Sequence, residues 1–369
     1  MRVLILANYD AGLYKFRREL LEALRKEHEV FFCVPDGEYV ERIKALGCQY
    51  VSCDLLDRHG TNPLKELQLL RYYQKLLRDI RPEVVLTFTI KPNVYGGMAC
   101  AKADVPYISV VTGLGTAIQN GGILRRISLA LYQNGLRKAQ VVFFENKSDE
   151  RFIREHQIFR GVCKTVSGAG VNLIQHNYEL YPAEDSKLVF LTIGRIMRDK
   201  GTDELLAAAR RIKEKYADVT FRLLGDYDGE YNEKIDAAVK EGIIEYLGQR
   251  DDVHSFIKNS HATIHPSYHE GMSNVLLESA ATGRPVLASN VPGCREAFDE
   301  GVSGIGFEPK NVDDLVRAIE EFIALPWEQK AAMGRAGREK MEREFDRQIV
   351  VEAYMREIHE VKGYKHEII

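Results

Sequence analysis

His269-Glu270-Gly271-Met272-Ser273-Asn274-Val275-Leu276-Leu277-Glu278 sets two carboxylates on either side of what reads as a helix start near Ser273, with seven residues between them. A strand-like run at 262–266 leads into it. The first N–H groups of a helix have no partner within it, and beside the small Gly271 they would form an anion site. A phosphate on the amides of Met272, Ser273 and Asn274 would leave Glu278 to accept hydrogen bonds from a ribose diol. Glu270 would then reach hydroxyls of a sugar beyond that phosphate. A plain helix start with a nearby acid and a surface Glu would carry the same text. The second stretch is Gly194-Arg195-Ile196-Met197-Arg198-Asp199-Lys200-Gly201, directly after another strand. Arg195 as a planar fork and Lys200 as a point charge could neutralise a diphosphate there.

These residues need a frame, and the rest of the chain supplies one. Short β-branched or aromatic runs alternate with longer helical patterns, the signature of parallel strands joined by crossover helices. Strands are expected at 3–8, 30–35, 49–55, 84–89, 107–112 and 141–146, with a helix over 15–27 showing Phe16, Leu20, Leu21 and Leu24 on one face. From 167 the text turns glycine-rich and then polar, as a linker would. A second series follows, with strands at 188–194, 220–225, 243–247, 262–266, 285–289 and 305–308 and a helix over 202–215. The fold class is α/β, two doubly wound Rossmann-like domains facing across a cleft, with boundaries expected at 1–172, 173–345 and 346–369. The last segment reads as a helix that could return to the first domain. Ligands of such sheets bind beyond the carboxyl ends of the strands, where both motifs stand.

Together the motifs resemble the GT-B glycosyltransferases of glycosyltransferase family four, which act with retention. The matching text is Gly194-Arg195 with Lys200-Gly201, the Glu270-x7-Glu278 pair, and Gly225-Asp226 and Leu247-Gly248 after their strands. The resemblance implies a nucleotide-sugar donor in the second domain and an acceptor in the first. It implies that Arg195 and Lys200 hold the diphosphate, Glu278 the ribose, and Glu270 with Gly271, Met272, Ser273 and Asn274 the transferred sugar and distal phosphate. It implies too that Gly194 lies beside that diphosphate, that the base would sit near Tyr227 and Arg250, and that Gly12 of the first domain joins the donor set. Arg195, Lys200 and Glu270 are the residues expected to carry catalysis, by positioning and by stabilising the departing diphosphate.

The first domain narrows the resemblance. Asp57-Arg58-His59-Gly60-Thr61-Asn62-Pro63, Thr87-Phe88-Thr89-Ile90-Lys91-Pro92-Asn93 and Val110-Val111-Thr112-Gly113 each follow a strand. They look like the subgroup that extends lipid-linked sugars in bacterial glycan assembly, N-acetylgalactosaminyltransferases among them. Arg58 and Lys91 suit a lipid diphosphate. Asn62 and Asn93 could satisfy sugar hydroxyls or, equally, cap local backbone. His59, Thr112 and Gly113 complete the expected acceptor set. Many members of the wider family carry a His where this chain has Thr112-Gly113, so no catalytic histidine is assigned.

Charge and composition bound the partners. Hydrophobic residues make up 45% and charged residues 28%, an ordinary globular balance. Residues 1–180 hold 25 Lys+Arg against 19 Asp+Glu, and the remainder 26 against 35, so a net +6 half precedes a net −9 half. That suits an anionic acceptor or surface met by the first half, and no basic patch with interleaved aromatics points to nucleic acid. No apolar run approaches the ~20 residues that cross a bilayer, and the start of the chain lacks a signal-peptide pattern. The six scattered cysteines form no C-x-x-C, which fits reduced thiols. The expectation is a cytoplasmic protein, peripheral on the inner face of the plasma membrane. Residues 123–138 could supply the contact, placing Ile123, Leu124, Ile127 and Leu131 among Arg125, Arg126, Arg137 and Lys138, or could simply pack on the sheet. Asp226-Tyr227-Asp228 has a D-x-D form, but no metal is expected, because Arg195 and Lys200 already balance the phosphates. The expected activity is transfer of a hexose or N-acetylhexosamine, best N-acetylgalactosamine from UDP-GalNAc, onto a polyprenyl-diphosphate-linked sugar. A GT-B-like sugar-nucleotide epimerase and a non-enzymatic sugar-binding protein are the alternatives.

Overall fold

In the computed structural model, residues 1–56, 62–114, 118, 122–184, 187–227 and 231–366 are described. Two compact units emerge, Met1–Ala169 with Gln348–Ile369, and Gly170–Arg347. The first is built on a seven-stranded parallel sheet: β1 (Arg2–Leu6), β2 (Glu29–Val34), β3 (Gln49–Ser52), β4 (Val84–Phe88), β5 (Tyr107–Val111), β6 (Val141–Phe144) and β7 (Val162–Thr165). The order is β3-β2-β1-β4-β5-β6-β7. Its helices are α1 (Asp10–Glu27), α2 (Val40–Ala45), α3 (Pro63–Ile80), α4 (Gly97–Ala103), α5 (Gly122–Leu136) and α6 (Lys147–Glu155), with a π-helical turn at Pro92–Gly96.

Both faces of this sheet are covered, which is why its strands read as unbroken apolar runs. In β1, Val3 and Ile5 enter one core with Leu20, Leu21 and Leu24 of α1. Leu4 and Leu6 enter the other with Leu69, Tyr73, Leu76 and Leu77 of α3. Six of the seven strands stand within a few residues of the positions read from sequence. β7 escapes that reading because its Val-Cys-Lys-Thr is short and half exposed at the sheet edge.

The second unit has a six-stranded parallel sheet: β8 (Val189–Ile193), β9 (Thr220–Leu224), β10 (Glu245–Gly248), β11 (Ala262–His265), β12 (Val286–Ser289) and β13 (Gly304–Phe307), in the order β10-β9-β8-β11-β12-β13. Its helices are α7 (Thr202–Lys215), α8 (Asn232–Lys240), α9 (His254–Lys258), α10 (Asn274–Ala281), α11 (Val312–Ala324) and α12 (Trp327–Lys340). Leu205, Leu206, Ala209 and Ile212 of α7 pack on one face, and Leu276, Leu277 and Ala280 of α10 on the other. The stretch before β8 is stapled rather than loose. Arg284, 1% exposed, donates to the carbonyls of Glu179 and Leu180, and Trp327 Nε1 donates to Pro182 O at 2.8 Å.

The last helix, α13 (Arg347–His366), belongs to the first unit. Val350, Val351, Tyr354, Ile358 and Val361 enter the same core as α1. The Tyr354 ring meets Phe143 edge-on at 4.8 Å, and Arg17 lies above Phe88 while pairing with buried Glu145 at 2.8 Å.

In each sheet the chain winds outward from one central strand, then returns to that strand's other side. The reversal falls between β1 and β4 in the first unit and between β8 and β11 in the second. At such a point the two loops diverge and leave a crevice at the carboxyl edge.

Candidate functional site

The second-unit crevice is flanked by the loop after β8 and the loop after β11, which carry the two motifs. Two glycines, one after β8 and one after β12, let neighbouring loops press on the loop after β11. Gly201, at φ 70°, presses on the carbonyl of Pro266, where a Cβ would stand 2.1 Å from the oxygen. Gly293, at φ 81°, backs onto the carbonyls of Glu270 and Gly271, each 2.6 Å from a Cβ placed there. Only a residue without a side chain fits either position. Tyr268 N donates to Asp199 O at 2.9 Å and closes the seam.

Inside that seam Lys200 pairs with Glu270 Oε1. His265 Nε2, at the carboxyl end of β11, lies 2.9 Å from the same oxygen and 3.1 Å from Ser273 Oγ. A carboxylate can only accept, so this nitrogen carries the hydrogen. Burial would raise the Glu270 pKa, but the His265 hydrogen bond and the Lys200 charge outweigh it and hold the carboxyl well below its usual range. Glu270 is thus a fixed anion at neutral pH. Gly194, Arg195, Lys200 and His265 line one small depression, with Arg195 exposed at its mouth.

α10 begins at Asn274 with Ser273 as its N-cap residue, and the Ser273 side chain makes no capping bond. The amide set expected to hold phosphate is corrected in one member. Ser273 N donates to Gly293 O at 2.8 Å and is spent on the fold. The Met272 side chain is also core, packed with Leu276 and Val291, which leaves only its backbone for a ligand. Asn274 is half-buried, and its Oδ1 has no hydrogen-bond partner among the described residues. Glu278 is the fifth residue of α10, one turn beyond Asn274 on the same face. His176 Nε2 stands 3.9 Å from Glu278 Oε1. Burial, His254 and Arg347 push the His176 pKa down to about 3, so a neutral ring, not a cation, backs that carboxylate.

Tyr227 and Arg250 follow β9 and β10 at the same edge. The Tyr227 ring lies 4.8 Å from that of Tyr246, and Ile196 N donates to Asp226 O, joining this loop to the Arg195 segment. Asp226 Oδ1 accepts from Tyr227 N at 2.9 Å. Asp228 lies outside the described residues.

The first unit treats its predicted residues differently. Asn93 is fully buried, its Oδ1 accepting from Thr87 Oγ1 at 2.7 Å and its Nδ2 donating to Val110 O at 2.8 Å. It cannot face a sugar, because the π-helical turn points it into the sheet. Asn62 Oδ1 accepts from Leu64 N at 3.0 Å and caps α3. Lys91 is not a free cation: it pairs with Glu66 Oε1 at 2.6 Å, both side chains largely buried. Thr112 and Gly113 follow β5, half exposed. Gly12 lies in the first turn of α1, in the unit that does not carry the other donor residues. Arg58 and His59 fall outside the described residues.

Comparison with known proteins follows this division. Residues 12–167 match the family model described as glycosyl transferase 4-like domain, and residues 179–340 the model described as glycosyl transferases group 1. The chain belongs to the glycosyltransferases. A Campylobacter jejuni N,N'-diacetylbacillosaminyl-diphospho-undecaprenol alpha-1,3-N-acetylgalactosaminyltransferase is 26% identical over 96% of this chain and 98% of its own. An Escherichia coli UDP-Gal:alpha-D-GlcNAc-diphosphoundecaprenol alpha-1,3-galactosyltransferase is 25% identical over 69% of this chain and 70% of its own. Among solved structures, Anabaena HepE in complex with UDP-glucose aligns with a TM-score of 0.79 at 17% identity, covering 98% of this chain and 100% of that one. This likeness establishes the GT-B fold.

Two features of this glycosyltransferase were invisible in its sequence. His265 ends an apolar strand, and nothing in Ala-Thr-Ile-His marks it as the donor that fixes Glu270. Thr89, after β4, holds φ 73°, a strained conformation for a β-branched residue that costs on the order of 1–3 kcal/mol. It sits at the first unit's switch point, where such strain commonly marks a working loop.

Proposed function

We propose that this glycosyltransferase moves a hexose or N-acetylhexosamine, N-acetylgalactosamine from UDP-GalNAc as the leading choice, onto a polyprenyl-diphosphate-linked sugar with retention of configuration. The observation that carries the proposal is the convergence at one switch point of Arg195, the Lys200–Glu270–His265 network and the start of α10 with Glu278 one turn on. Cations and helix amides suit a nucleoside diphosphate, a carboxylate one turn along suits a ribose, and a fixed carboxylate beside them suits sugar hydroxyls. Two relatives named for undecaprenyl-diphosphate acceptors support the acceptor class, and both names state an α linkage. From an α-linked nucleotide sugar, an α product means retention.

In this scheme bond cleavage places growing charge on the leaving diphosphate. Arg195 and Lys200 stabilise it, and the diphosphate accepts the proton of the acceptor hydroxyl on the same face. Glu270 orients the sugar, and His265 orients Glu270. The two cations supply the counter-charge, so turnover needs no divalent ion, and chelator should leave most activity.

The acceptor's lipid tail calls for a membrane surface, and the first unit offers one. Leu64 (72% exposed) and Leu67 open α3, Ile90 follows β4, and Leu124 (54%) and Ile127 open α5. Helices of a parallel sheet start at its carboxyl edge, and α3 and α5 pack on the same face, so these side chains lie toward one edge on one side of the sheet. Arg126 on α5 and Arg137 just after it are exposed, whereas Arg125 stacks over Phe152 and Lys138 pairs with Asp104. Among the described residues no helix is long and apolar enough to cross a membrane. The test pairs donor hydrolysis with transfer to a polyprenyl-diphosphate sugar in anionic liposomes. Transfer should need acceptor and liposome and should weaken in high salt. Arg58→Ala should impair transfer far more than hydrolysis. Release of a free epimerised sugar without acceptor would overturn the proposal.

A further inference from the structure

At the amino edge of the first sheet, opposite its βα loops, three side chains converge where α1 ends and β2 begins. Glu27, His28 and His359 each present one ligand atom, all within 4.8 Å of one another. His359 Nε2 lies 2.9 Å from Glu27 Oε2, across 332 positions of sequence, and both side chains are about half exposed. His28 is different: it is 6% exposed, and neither ring nitrogen has a hydrogen-bond partner among the described residues. Its ring meets that of His359 edge-on, with centroids 6.1 Å apart. A buried imidazole without a partner is costly to keep and leaves a lone pair unused.

We propose that Glu27, His28 and His359 bind a divalent transition-metal ion, zinc by its donor chemistry, which clasps α13 to the first unit. Two imidazoles and one carboxylate form a set that zinc takes at roughly 2 Å from each ligand, with water in the open position. Rotation of the two half-exposed side chains is enough to draw the three atoms onto one ion. Magnesium and calcium prefer all-oxygen sites and would not compete. The site lies at the sheet edge opposite the βα loops, so the ion serves stability and not sugar transfer.

The experiment uses tag-free, full-length protein stripped with chelator and titrated with zinc chloride alone in a calorimeter. One ion per chain is expected, with a rise in the thermal midpoint and slower hydrogen exchange across residues 350–361. Magnesium should give neither effect. His359→Ala and Glu27→Ala sit at half-exposed positions that the fold tolerates, and each should weaken zinc binding by roughly tenfold or more and abolish the thermal shift. Glu27→Gln, which keeps the shape and removes the charge, should behave likewise. No zinc binding by the wild type at micromolar metal, or binding that survives His359→Ala unchanged, would overturn the proposal.

Discussion

The carboxyl edges of the two sheets share one topology and use their polar residues in opposite ways. In the second unit the side chains after β8 and β11 meet one another, Lys200 and His265 both on Glu270, and the cluster stays within reach of a ligand. In the first, Asn93, Asn62 and Lys91 turn back onto the protein, into a strand carbonyl, a helix cap and Glu66. The cause is local backbone. Gly201 lets the loops after β8 and β11 approach until their side chains share a seam, with Gly293 of the next loop backing it, whereas the π-helical turn after β4 rotates its asparagine beneath the edge. Equal topology therefore does not mean equal availability, and the proposed acceptor site would have to draw on other groups of the first unit.

Substitutions can break or sharpen this contrast. The largest effect belongs to the cations: Arg195→Ala or Lys200→Ala should lower kcat about 10²-fold or more at saturating donor, because charge grows on the leaving diphosphate. Steady-state turnover checks this, and normal kcat would remove them from the leaving-group site. Glu278→Ala should weaken donor binding by about 1.5–3 kcal/mol with the fold intact. Calorimetry with the nucleotide sugar reads it, and an unchanged Kd would dismiss the ribose role. Asn93→Ala, its counterpart in the first unit, should cost about 1–3 kcal/mol of stability by removing the side-chain donor to Val110 O, while Thr87 keeps Ser109. Where that variant is folded, its acceptor KM should stay as in wild type; a raised KM with unchanged stability would return Asn93 to the acceptor site.

The smallest effect should be on the acid side. Glu270 titrates below the range of an unfolded carboxylate, so its contribution to stability is present above that range and lost as pH falls through the folded value. His265→Leu removes the hydrogen bond while burial remains, which raises the folded pKa. Its denaturant midpoint should therefore lose less on acidification and level off at a higher pH than that of wild type. Coincident pH profiles would mean that Lys200 alone sets the Glu270 charge.

Much of this arrangement was legible in the amino-acid text, and unevenly so. Strands buried on both faces write themselves as runs such as Val3–Leu4–Ile5–Leu6, and α7 spans the 202–215 read from its periodicity. The donor motifs were legible because loops at the strand ends need glycine and charge together. What stayed hidden depends on backbone direction: whether Asn93 faces out or in is decided by one irregular turn, and whether His265 is core or site by which loop folds over its strand end. The half-exposed β7 lacked the apolar signal altogether.

The packing of α13 also governs how the molecule is made. Its Val350, Val351, Tyr354 and Ile358 complete a core whose other walls are α1 and the first sheet. A ribosome adds about 5–20 residues per second, so the whole second unit emerges, over roughly ten seconds or more, before that wall exists. Until then Phe88 and Phe143 lack the Tyr354 ring that they close against. The nascent chain offers them to chaperones, or to neighbouring copies, for that interval. The unit translated first is the one that finishes folding last.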